Sequence, residues 1–254
     1  MMNMETKVYQ FPHKKKRHSK FGVWIIITCI FLLIFYLVNT DIFIVKNIEV
    51  TGNYYLSEKD IISLAGISPG QNIFTINLDK IRTNLLENPH IKDIKIRRSL
   101  PNSIIIDIDE RNVVAAVPYS GVYLQIDEDG VVIEVSKEYQ DSSMPILSGL
   151  KVKNFYVGKK LDLENISEFN KSLAILKGLK ENKMEDLISE VRILDGSISL
   201  ISSTGLMIDF NVEKNIDYRL SFLKSVLLDL SSKNYKEGHI IVDDVGNIIY
   251  RPNQ

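Results

Sequence analysis

The sequence predicts an α+β protein: a single N-terminal transmembrane helix, then a module of two helices and three strands, then a larger β-rich α+β domain. Three observations predict it. One run of twenty uncharged residues, Phe21 to Thr40, stands alone near the N-terminus. Beyond it, short segments of alternating polarity outnumber the helical ones and are punctuated by Gly, Asn and Asp. The composition, 45% hydrophobic and 25% charged over 254 residues, fits globular domains rather than disorder, collagen-like repetition or a multi-pass membrane protein.

The net charge of -1 averages two unlike parts. Residues 1–20 carry Lys7, Lys14, Lys15, Lys16, Arg17 and Lys20 against Glu5 alone, so residues 41–254 are acidic. The run from Trp24 to Val38 is almost wholly apolar and, as a helix, extends about as far as the ~30 Å hydrocarbon layer of a bilayer is thick. Phe35-Tyr36-Leu37-Val38-Asn39 offers no small-residue cleavage site, which favours an uncleaved anchor over a secretory signal. The basic cluster holds the N-terminus in the cytoplasm and sends everything after Asp41 outside. This divides the chain into a cytoplasmic tail (1–20), a span (21–40), a first outer module (41–111) and a second (112–254). The only cysteine, Cys29, lies in the span, so no intramolecular disulfide braces the outer part.

The first outer module reads strand, helix, helix, strand, strand. Ile44 to Val50 is β-branched and ends at Thr51-Gly52-Asn53. Ser57 and Asp60 form a helix start, Ile61, Ile62, Leu64 and Ala65 its apolar face, and Gly66 its end. Asn77 opens a second helix through Leu78, Ile81, Leu85 and Leu86, and Pro89 stops it. Ile91–Arg98 and Ser103–Glu110 alternate as strands around the turn Leu100-Pro101-Asn102. With the isoleucines turned to the helices, Lys95 and Arg97 share the solvated face with Asp107 and Asp109. Arg97 and Arg98 read as solvated charges before they read as a docking patch.

In the second module, Val122–Ile126 and Val131–Val135 flank Asp127-Glu128-Asp129-Gly130, a hairpin signal. After Met144 to Gly149 comes a helix over 165–180 with Ile166, Phe169, Leu173, Leu176 and Leu179 on its apolar face. Strands at 188–194, 197–202 and 206–211 precede a helix over 216–230, spaced by Ile216, Leu220, Leu223, Leu227 and Leu230. Strands at 239–242 and 247–251 finish the chain.

Catalytic apparatus is expected to be absent, with no cofactor and no metal site. His13 and His18 belong to the tail, and His90 and His239 lack neighbouring ligand spacing. The reading expects no GxSxG, SxxK, HExxH or GxxxxGK[ST] signature, and takes Ser143-Met144-Pro145 as a chance echo of a leader-peptidase serine motif. The carboxylates fall mostly on polar faces, although a glycosidase pair is not visible in sequence either way.

The order of these parts, with Ile48-Glu49-Val50-Thr51-Gly52-Asn53 and the run from Ile91 to Arg111, resembles the bacterial FtsQ/DivIB family. The resemblance implies a POTRA domain followed by a so-called β-domain, at the division septum. It implies a scaffold that binds the small coiled-coil proteins FtsB/DivIC and FtsL and acts through them on septal peptidoglycan synthesis. It places the partner site at Ile248, Tyr250 and Arg251. The last strand supplies a physical route: a free edge accepts a strand from a partner, and Ile248 and Tyr250 share one face while Ile249 and Arg251 share the other. The alternatives are that Tyr250 closes the core, that the chain is a POTRA-bearing secretion or envelope-assembly component, or that it is a membrane-anchored cell-wall hydrolase.

Overall fold

The computed structural model describes residues 20–38, 40–139, 144–210, 212, 214–243, 245 and 247–252. The basic tail before Lys20, with its two histidines, and Ser143 lie outside the described residues. The first helix, α1, covers Lys20–Val38. Its described side chains run from Phe21 to Tyr36, and all are exposed, on every side of the helix. Over that length, and among the described residues generally, no helix is long and apolar enough to cross a membrane.

A single turn, Asp41–Phe43, leads into strand β1 (Asn47–Thr51). The strand expected from Ile44 starts only at Asn47. Ile44 to Lys46 are β-branched or long, but their hydrogen bonds go elsewhere: Val45 N–H donates to Gln71 O at 2.8 Å, and Lys46 N–H to Asn102 O at 2.9 Å. Helices α2 (Glu58–Ala65) and α3 (Leu78–Leu86) follow, with the caps their sequences announce. Ser57 Oγ accepts from Asp60 N–H, and Asn77 Oδ1 from the N–H groups of Asp79 and Lys80. Strands β2 (Ile91–Ser99) and β3 (Ser103–Glu110) complete a three-stranded sheet ordered β1-β3-β2, parallel between β1 and β3. Ile61, Leu85, Ile94, Ile104 and Ile106 form its core against the two helices. On the other face Lys95 stands opposite Asp107. Arg98 departs from the expected solvated row: its guanidinium donates to Ile73 O at 2.8 Å and Ile76 O at 2.7 Å.

Beyond Arg111 the chain builds one nine-stranded sheet. Strand β4 (Val113–Tyr119) was not anticipated, because Pro118 interrupts it. The proline is tolerated since β4 meets its parallel neighbour only at Ala116. Next come β5 (Val122–Asp127), β6 (Val132–Ser136) and β7 (Ile146–Ser148). A small separate pair, β8 (Val152–Asn154) and β9 (Asp162–Leu163), was also unforeseen. Helix α4 (Ile166–Glu181) buries Phe169, Leu173, Ile175, Leu176 and Leu179; Ile166, assigned to that face from its spacing, is exposed. The remainder is β10 (Ile188–Leu194), β11 (Ser197–Ser202), β12 (Met207–Phe210), α5 (Ile216–Ser232), β13 (His239–Val242) and β14 (Ile248–Arg251).

The sheet order is β14-β13-β12-β11-β10-β7-β4-β5-β6. Buried side chains of α4 and α5 join those of the sheet in a second, separate core. The two cores are bridged by charge. Lys92 Nζ of β2 lies 2.6 Å from Glu128 Oε1 and 3.0 Å from Asp129 Oδ2 in the β5–β6 turn. Arg111 binds Asp127, whose buried carboxylate also accepts the N–H groups of Asp129 and Val131. The Lys92 hydrogen bond holds the Glu128 carboxyl below its ordinary range, and the two acids raise the Lys92 ammonium above its own.

Candidate partner-binding edge

Among the described residues, strand β14 pairs with β13 alone and so ends the sheet. The antiparallel register sets Val242 opposite Ile248, Ile241 opposite Ile249, Ile240 opposite Tyr250 and His239 opposite Arg251. Asp243 N–H donates to Asn247 O at 3.2 Å. Hydrogen-bonded pairs alternate along an antiparallel ladder, so Ile249 and Arg251 turn their backbone groups to β13. Ile248 and Tyr250 turn theirs outward, and Pro252, lacking an N–H, ends the edge.

The side chains divide the other way. Ile248 and Tyr250 are half-buried against the large core, while Ile249 and Arg251 are exposed. Tyr250 has a built seat. Its hydroxyl donates to Glu237 O at 2.9 Å, and its ring tilts against Tyr235 with centroids 5.7 Å apart. Gly238, at φ +142°, makes room for it: a Cβ there would meet Tyr250 Cε2 at 2.5 Å and Arg251 O at 2.8 Å. The three residues singled out from sequence thus lie on one strand but on two faces, Arg251 alone with the exposed pair.

The sheet face away from the helices was not identified from sequence. Cross-strand register lines up Arg251, His239, Met207, Ile201, Glu190 and Ile146 in one row. Ile249, Ile241, Asp209, Ser199, Arg192 and Ser148 form the next. Met207 and Ile201 supply apolar surface between two polar clusters. His239 Nε2 lies 2.9 Å from Asp209 Oδ2, though not along a hydrogen-bonding direction. Glu190 accepts from Arg192 Nε and Nη2 and from Ser148 Oγ at 2.5 Å, and these bonds, Arg192 first, keep its carboxyl below the usual range. A row that joins residues a hundred positions apart has no linear signal. Only the alternation within each strand was available to find it.

Contrary to the motif expectation, Gly66-Ile67-Ser68-Pro69-Gly70 spells GxSxG, and Ser148 to Lys151 and Ser221 to Lys224 spell SxxK. None stands where such chemistry is built. Ser68 follows the end of α2 rather than joining a strand to a helix. Ser148 is bound to Glu190, and Ser221 Oγ donates to Tyr218 O at 2.7 Å. Among the described residues no group of three or more His, Cys, Asp and Glu side chains is arranged to hold a metal.

Comparison with known proteins follows the same division of the chain. Residues 43–111 match the family model for the POTRA domain, FtsQ-type. The chain is 32% identical over 208 residues to the cell division protein DivIB of Clostridium tetani, covering 81% of this chain and 78% of that protein. It is 28% identical over 238 residues to DivIB of Bacillus subtilis, with 91% and 85% covered. Over 156 residues it is 30% identical to the cell division protein FtsQ of Syntrophotalea carbinolica, with 61% and 55% covered. A POTRA sheet feeding a long mixed sheet, and relatives of this identity over most of both lengths, converge on one conclusion: the chain belongs to the FtsQ/DivIB family of cell-division proteins.

Proposed function

We propose that this chain is a non-catalytic assembly protein of the division septum. Anchored through α1 with its N-terminus in the cytoplasm, it grips small single-pass coiled-coil partners of the FtsB/DivIC and FtsL classes outside the membrane. Through them it influences septal peptidoglycan synthesis. The observation that carries this reading is the β14 edge, uncovered among the described residues, whose outward backbone groups belong to Ile248 and Tyr250 and whose aromatic is held in a fixed seat. Added-strand hydrogen bonds contribute roughly 0.5–1.5 kcal/mol each, and a buried apolar side chain roughly 1.5–3. The backbone therefore supplies the register, and the side chains, Ile249 and Arg251 on one face and Ile248 and Tyr250 on the other, select the partner.

The anchor is supported by α1 itself. A helix apolar all round and uncovered by protein suits lipid rather than water. The basic residues before Phe21 favour retention of the N-terminus in the cytoplasm.

Ile248→Pro tests the edge directly. It removes an outward N–H and sets a ring in the path of an added strand, while leaving the β13 ladder intact. Capture of a DivIC-class partner from co-expressing cells should fall about tenfold while the melt stays cooperative, lowered only by the loss of part of the Ile248 packing. Full capture by a variant that still melts cooperatively would discard the edge. A fluorescent fusion should form a midcell band in dividing cells, and the purified outer part should release no fragments from labelled peptidoglycan.

A further inference from the structure

The end of the POTRA module nearest α1 carries apolar residues on loop tips, where polar ones are the rule. Two loops flank the point at which the chain leaves the helix. Ile73 N–H donates to Phe43 O at 2.8 Å, and Asn102 O accepts from Lys46 N–H, so the loops 71–77 and 99–103 are tied to the chain just after α1. Arg98 fastens the first loop to the second strand through Ile73 O and Ile76 O. Phe74 stands 43% exposed at one tip, its ring 5.1 Å from Phe43; Leu100 stands 59% exposed at the other, beside Pro101; Ile42, in the single turn that follows α1, is 56% exposed.

Charge is distributed to match. From Gln71 to Leu78 and from Ser99 to Ile106 there is no charged residue. The exposed charges beside these tips are Asp41 and Lys46, one on each side of Ile42 in the chain. Ile42 follows the last residue of α1 by four positions, which at about 3.5 Å per residue keeps it within reach of a bilayer surface at the helix end.

We propose that this end of the POTRA module rests in the lipid interface of the outer membrane leaflet, with Ile42, Phe74 and Leu100 dipping among the headgroups. The proposal depends on α1 being the anchor. Its consequence is a fixed tilt: the module stands on three apolar feet beside its own span and aims the large sheet away from the membrane. The occupant is lipid because the tips are apolar, small and set within a few residues of the end of an apolar helix, which suits shallow insertion beneath the polar headgroup level where Asp41 and Lys46 remain.

The test uses the full chain in phosphatidylglycerol–phosphatidylcholine vesicles containing lipid brominated near the carbonyl end of its acyl chains. Trp24 is the only tryptophan. In a Trp24→Phe background, Phe74→Trp and Leu100→Trp should each lose about half their emission to bromolipid, while Tyr54→Trp, at the far end of β1 and 97% exposed, should stay bright. Dark Trp24 in the unaltered chain together with bright tryptophans at 74 and 100 would overturn the lipid contact while leaving the anchor standing, and would give those tips to solvent or to a protein. A bright Trp24 would remove the anchor and this inference together. Leu100→Trp lies on an exposed turn, so it decides the matter even where Phe74→Trp disturbs the Phe43 ring.

Discussion

The nine-stranded sheet has two ends, and the chain treats them differently. At the β6 end, Val132 N–H donates to Lys159 O at 3.0 Å and Gly158 N–H to Val132 O at 2.7 Å, so the segment 158–161 covers the start of the edge strand. The turn that feeds β6 is also pinned to the POTRA module by Lys92 and Arg111. At the β14 end, among the described residues, no segment lies along the edge. Proteins commonly blunt exposed edges with charge, bulges or covering loops. Covering one edge and leaving the other open fits the proposed division of labour, in which the first holds the molecule together and the second receives a partner.

The largest expected effect comes from unseating the open edge. Gly238→Val would put carbon against both the Tyr250 ring and the Arg251 carbonyl, at a φ that L-residues rarely adopt. We expect about 3 kcal/mol or more of destabilisation and the loss of partner capture, read by urea melts and co-purification. The matching change at the covered edge is Gly158→Pro. Gly158 has φ +80°, which proline does not reach, and its N–H is one of the two covering bonds. About 1–3 kcal/mol should be lost and self-association should rise in sedimentation runs, yet partner capture should persist. If instead it abolished capture, the two ends would not be doing separate jobs.

The helix caps at Ser57 and Asn77, the hairpin at Asp127–Gly130 and most strands of the large sheet were legible in sequence because each is decided locally, by a cap, a turn glycine or an alternation. The failures share a cause. Ile44 to Lys46 look like a strand but spend their hydrogen bonds on two loops, and β4 hides behind Pro118 although its neighbour never needs that N–H. The last strand and its two-faced alternation were visible, whereas the exposed rows across β14 to β7 were not. Those rows are a product of register, and register is set by the tertiary pairing of strands that a linear pattern does not contain.

A smaller effect sharpens the role of Tyr250. Tyr250→Phe keeps the ring against Tyr235 and Gly238 but removes the hydroxyl bond to Glu237 O. Stability should fall by about 0.5–1.5 kcal/mol, with capture reduced only in proportion. Capture that disappears while the melt scarcely moves would make the hydroxyl a contact to the partner rather than a peg for the strand.

The smallest effect concerns the charged tether at the covered end, and its sign follows from the two partners. Glu128 titrates below its ordinary value in the folded chain, so its contribution is present above about pH 4.5 and is lost as pH falls through the depressed folded value. Lys92 is shifted upward; its contribution is complete below about pH 10.4 and vanishes only above that, so it does not offset the acid loss. Both side chains are partly exposed, which screens the pair and limits it to about 0–1 kcal/mol. Glu190 is depressed as well and titrates in the same acid range, so the whole-protein melt alone is ambiguous. Comparing the parent with Glu128→Gln from about pH 5 down to the acid side of the depressed Glu128 value isolates the tether. The two melts should differ at the upper end and converge at the lower, with spin-label distances between the modules broadening in the parent as they do so. Distances that stay narrow throughout would mean that Arg111 and the buried Asp127 hold the covered end alone, leaving Lys92 and Glu128 as surface charges.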